Sequence, residues 1–164
     1  MQKNTPYKSN ILLNILWIGL LAGTLDGLAA LILNYKVGPA IVFKFIASGV
    51  FGKAAFQGGN EMVVAGIVFH YLIALLFTNA FYLLYPFFKK MWQNVYLTAV
   101  AYGCTAWLIM NLLVVPVSKI GFHPIKAETI LTGILVLIIC IGLPIALIAD
   151  RHYKAGKFNI PNQK

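Results

Sequence analysis

The chain has 164 residues, of which 60% are hydrophobic and only 10% charged. That leaves too little polar surface for a soluble domain of this size, so a soluble globular protein is excluded. The net charge of +9 comes from lysines scattered over the connecting segments, not gathered in an arm or stripe, so nucleic acid is not an expected partner.

Four stretches at about 11–33, 63–84, 95–115 and 130–149 contain no lysine or arginine. Each is long enough to cross a hydrocarbon core of ~30 Å, which takes about 20 helical residues. The expected fold is all-α: a polytopic membrane protein in which residues 1–164 form a single transmembrane bundle of four transmembrane helices plus one short interfacial or re-entrant helix. The surrounding partner is the lipid bilayer. The first stretch far exceeds the ~7–15 apolar residues of a cleavable signal core, so it is expected to stay as an anchor.

Within that first span glycine recurs every fourth residue, at Gly19, Gly23 and Gly27. A face of small residues lets another helix backbone come close, so this is the expected packing face. Asp26 shares it with Ala22 and Ala30. An intramembrane carboxyl must point into protein, not lipid, and commonly marks an ion or proton pathway.

Residues 39–57 are apolar but carry Lys44 and Lys53 on opposite sides of a helical wheel. A clean amphipathic surface helix would segregate them. A short helix at or dipping into the outer face fits better, with a fifth span as the alternative. Gly58 and Gly59 predict a tight turn, with Asn60 as N-cap and Glu61 in the first turn of the next helix.

The second span repeats the small-residue device around a histidine, as Gly66, His70 and Ala74. His70 lies seven residues from the outer end of its span, as Asp26 does in the first. At 1.5 Å per residue both sit ~10 Å below the boundary. Asn111 on the third span is a third member of an expected Asp–His–Asn cluster. Its functional reading is a proton or cation site; its bland reading is an interhelical hydrogen bond that only sets register.

Pro86 and the Lys89–Lys90 pair mark the connection to the third span, flanked by the interfacial aromatics Tyr85 and Trp92. Cys104 and Cys140 fall mid-span and read as buried thiols. Pro116 is expected to end the third helix. His123 and Pro124 announce the fourth, with Pro124 in its first turn and Glu128 near the positive end of its dipole. Pro144 is expected to bend it, and Asp150 and His152 mark its interfacial end.

Metal ligation draws on Asp26, Glu61, His70 and His123, whose spacing matches no ligand motif. No serine–histidine arrangement, metalloprotease motif or phosphate loop occurs, so an enzyme is not the favoured reading and no cofactor is implied.

With four spans the two tails and the central connection share one side. That side holds Lys3, Lys8, Lys89, Lys90, Arg151, Lys154, Lys157 and Lys164, against Lys36, Lys44, Lys53, Lys119 and Lys126 on the other. The excess of basic residues places both termini in the cytoplasm.

The runs Ala22-Gly23-Thr24-Leu25-Asp26, Ala55-Phe56-Gln57-Gly58-Gly59, His70-Tyr71-Leu72-Ile73-Ala74 and Gly142-Leu143-Pro144-Ile145 resemble a widespread group of small bacterial four-helix inner-membrane proteins with no assigned function. The resemblance implies a bacterial inner-membrane bundle and supplies no mechanism. The expected role is proton-linked or cation transport by a homo-oligomer through Asp26 and His70. The alternative is an accessory or assembly subunit of a membrane complex, and a distant third is an outer-face metal-binding enzyme.

Overall fold

The computed structural model describes residues 11–122 and 124–155, and among them there are helices and no strands. α1 spans Ile11–Leu33, α2 Pro39–Phe51, α3 Ala54–Gln57 and α4 Asn60–Met91. α5 runs Val95–Val117 and α6 Ala127–Lys154. Helices α1, α4, α5 and α6 are long and apolar enough to cross a membrane, as an integral membrane protein requires.

The four long helices run alternately up and down. Ile18 near the start of α1, Tyr85 late in α4, Ala99 early in α5 and Ala149 late in α6 share one buried cluster. The described chain ends and the α4–α5 turn therefore lie at one end of the bundle, here the terminal end. The α1–α4 and α5–α6 connections lie at the other, the loop end. Leu20, Leu25 and Leu28 on α1 and Leu72, Leu76 and Leu83 on α4 face outward, the arrangement a bilayer solvates.

Residues 39–57 do not make a fifth span. α2 has 13 residues, about 20 Å of helix, and stops at Gly52, whose positive φ of 62° few other residues adopt. Pro39 opens α2, where its missing N–H costs nothing. α2 is pinned at both flanks: the Lys44 ammonium donates to the Gly58 carbonyl at 2.6 Å, and the Lys119 amide in the α5–α6 connection donates to the Gly49 carbonyl at 2.9 Å. Gly66 of α4 lies so close to the Phe43 backbone carbonyl that a Cβ there would collide with it.

Several expected boundaries need correction. Gly59, not Asn60, occupies the N-cap of α4, and the Glu61 carboxylate accepts the Gly59 amide proton at 2.6 Å. Pro86 does not end this helix, which continues to Met91 and leaves only residues 92–94 as a turn. Asn94 caps α5 by accepting the Tyr96 amide at 2.9 Å. Pro116 stands at the end of α5, as expected, with only Val117 beyond it, whereas Pro124 lies ahead of α6, which begins at Ala127.

Helix continuation past proline has a physical cause. In lipid, a backbone amide or carbonyl without a partner costs several kcal/mol, so leaving the helix is worse than losing one bond to a proline ring. α5 and α6 absorb the defect with π turns at Met110–Val114 and Ile138–Gly142, each ending two residues before a proline.

Candidate functional site

The glycines of α1 set the distance between α1 and α4. A Cβ at Gly19 would lie 2.6 Å from Leu75, one at Gly23 3.0 Å from the Ala74 methyl, and one at Gly27 3.1 Å from the His70 ring. With the backbones this close, His70 Nε2 donates to the Gly23 carbonyl oxygen at 2.7 Å. The imidazole packs edge-on against Phe43 of α2 and Tyr71 of its own helix, and the Tyr71 hydroxyl pairs with that of Thr24 at 3.0 Å. His70 is thus a junction of α1, α2 and α4.

Asp26 lies within one turn of Gly23 and faces α5 and α6. It lines two adjoining cavities. The first, of ≈ 80 Å³, also takes in His70, Phe77, Met110 and Ile141. The second, of ≈ 250 Å³, takes in Asn34, Trp107, Asn111 and Thr129. Asp26, His70 and Asn111 therefore meet around the carboxylate as a shared space, not as a hydrogen-bonded triad. Among the described residues Asp26 accepts no hydrogen bond and forms no ion pair; it interacts with the His70 imidazole through charge, while the ring's hydrogen bond goes to Gly23.

Asn111 sits in the π turn of α5 and donates its side-chain amide to the Trp107 carbonyl at 3.0 Å. Glu61 is exposed and committed to the start of α4. His123 lies outside the described residues. Among those described, no three His, Cys, Asp or Glu side chains come together as a metal would need.

A second polar constellation, at the terminal end, escaped the sequence reading. Asp150 is not an exposed interfacial residue: it is 6% exposed, about one turn before the end of α6. Its carboxylate takes Lys89 at 2.8 Å, Lys154 at 2.6 Å and the buried Tyr85 hydroxyl at 2.9 Å. Tyr82 and His152 form a neighbouring pair, hydroxyl to Nδ1, at 2.8 Å. Tyr82, Tyr85 and Lys89 recur on α4 at helical spacing, so one face presents all three. The available signal was an acid near the C-terminus of a helix, where the dipole disfavours it and a basic partner is called for.

Compared with protein-family models, with curated proteins and with solved structures, the chain matches none. What bears on function is therefore the geometry: a carboxylate at the meeting point of two cavities, and a closed ionic cluster at the opposite end.

Proposed function

We propose that this protein resides in the plasma (inner) membrane with both termini cytoplasmic, and that it moves protons or cations through Asp26 as an oligomer. The carrying observation is that the Asp26 carboxylate has no hydrogen bond or ion pair among the described residues and borders two cavities. A carboxyl in such surroundings is costly to keep for packing alone and suits a group that exchanges a proton or cation. The excess of lysine and arginine toward the terminal end supports the orientation.

A second reading, an accessory or assembly subunit, draws on a different feature. On the terminal side of Asp26 the core of Ile18, Phe81, Tyr102 and Ile145 is closed, and below it the Asp150 cluster locks α4 to α6. Among the described residues one protomer is thus closed between Asp26 and the terminal end, so a transporter must open further or assemble. Reconstitution into liposomes separates the two. Transport requires a pH-dependent proton or cation flux that Asp26→Asn abolishes while helical content and elution volume stay unchanged. Wild-type protein without flux leaves the accessory role.

A further inference from the structure

α1 packs against α6 at the π turn Ile138–Gly142 and beyond it toward the terminal end, and only sparsely against Ala127–Leu137 toward the loop end. The gap between them is the larger Asp26 cavity, and it continues into a third space of ≈ 380 Å³ bordered by Asn34, Glu128 and Thr132. Together they form a groove with an acid at each end, Glu128 at its mouth and Asp26 at its floor.

The charge of this groove is one-sided: Asp26 and Glu128 line it, with no lysine, arginine or histidine in the same lining among the described residues. Asn34 donates its side-chain amide to the Ala30 carbonyl at 2.9 Å, and Asn111 donates its own to Trp107 at 3.0 Å. Thr132 spends its hydroxyl proton on the Glu128 carbonyl at 2.8 Å. Each side chain thereby turns a donor to its own helix and keeps its oxygen lone pairs, while each asparagine retains a second N–H. With the two carboxylates, the acceptors outnumber the donors left on the two asparagines and the Trp107 indole. Trp107 adds an aromatic ring, which attracts cations, and Leu33 and Val136 supply apolar wall.

We propose that the groove between α1 and α6 binds the primary ammonium group of an organic amine, with Asp26 as its counter-ion. An ammonium brings a positive charge to the two carboxylates and three donors to the free oxygens. A bare metal cation would need about six oxygens closing around it at short range, whereas these acceptors are spread along a wall that is otherwise apolar and suited to a carbon skeleton. The amine arrives either from water through the loop end or from the bilayer through the gap between the two helices. This inference rests on the reading of Asp26 as a cation site but does not require that the cation be transported.

The test uses full-length protein in lipid nanodiscs carrying Trp17→Phe and Trp92→Phe, so that Trp107 is the sole indole reporter. Benzylamine is expected to change Trp107 emission saturably, whereas benzyl alcohol, benzoate and equivalent sodium or potassium chloride are not. Asp26→Asn should weaken the effect by about tenfold or more, the scale of one charge-assisted contact. Ala30→Phe, which fills the groove and keeps the carboxylate's charge, should do the same and decides the matter if Asp26→Asn fails to fold. Hexadecylamine built into the nanodisc distinguishes the source: competition by it with little effect of benzylamine assigns the bilayer route, and strong benzylamine binding assigns the aqueous one. An equal response to benzyl alcohol, displacement of benzylamine by sodium or potassium at matched ionic strength, or undiminished binding in both variants overturns the ammonium site. Amine binding without any flux removes transport and leaves this site; an Asp26-dependent flux without amine binding does the reverse.

Discussion

His70 on α4 donates its Nε2 proton to the backbone carbonyl of Gly23 on α1 across 2.7 Å, not to the carboxylate of Asp26 within one turn of it. The bond exists because α1 has no side chain at that point, so the imidazole reaches the helix backbone itself. It leaves Asp26 turned toward α5 and α6, bordering space instead of a partner.

The two residues should therefore behave as neighbours, not as a pair. Replacing His70 by leucine is expected to cost about 1 kcal/mol, the scale of an interhelical hydrogen bond in a membrane protein. Because the partner is Gly23, the cost should be the same within about 0.5 kcal/mol whether residue 26 is Asp or Asn. Unfolding of the four variants in detergent measures the cycle. A larger departure from additivity would mean that carboxylate and imidazole meet directly.

Close packing at glycine gives a second prediction. Gly66→Ala places a methyl against the Phe43 carbonyl, and Gly23→Leu drives a side chain into Ala74 and Tyr71. Each should destabilise by about 1–3 kcal/mol or more, the range for overpacking. Leu25→Ile, on an outward-facing position, should be nearly silent. Thermal unfolding in detergent compares all three, and equal midpoints would remove the small-residue contacts as a determinant of stability.

The Asp150 cluster predicts an order of effects. Asp150→Asn leaves Lys89 facing a neutral group in a largely buried setting and should cost roughly 3 kcal/mol. Tyr85→Phe removes one buried hydroxyl donor, worth about 1 kcal/mol. Lys154→Ala should cost about 0.5 kcal/mol or less, since that lysine side chain is 68% exposed. Denaturant titrations that rank Lys154→Ala above Asp150→Asn would contradict the geometry.

Orientation is open to chemical labelling. In a background with Cys104 and Cys140 replaced by alanine, single cysteines at Lys36 and Lys126 are expected to react with an impermeant reagent applied to intact cells. Cysteines at Ser9 and Gln163 should react only after lysis, as the eight basic residues on their side against five on the other require. Reaction at one tail only would break the even number of crossings.

Much of this was legible in the sequence. The four spans stood out as runs free of lysine and arginine, and the glycine repeat picked out the face that meets α4. Counting residues placed Asp26 and His70 at one depth, and the His70–Gly23 bond puts them there. Depth was readable because rise per residue is constant, but a shared depth does not say which atoms face one another, so the partner of His70 was not. The end of α4 was misjudged at Pro86, because the rule that proline ends helices assumes water to receive the freed carbonyl. Truncating the last span at Ala149 made Asp150 look interfacial; one and a half more turns of α6 turn it into the centre of a cluster.

The π turn at Ile138–Gly142 is, in effect, one surplus residue carried inside α6. Each residue turns a helix by about 100°, so everything beyond the π turn is rotated by that amount relative to an uninterrupted helix. Deleting one residue there and restoring regular winding would leave Gly133 against Trp107 but swing Asp150 away from Tyr85 and Lys89. The number of residues between Gly133 and Asp150 is thus as constrained as their identities. Over this interval single-residue deletions should be far less tolerated than substitutions, and an insertion at one point should be rescued by a deletion at another.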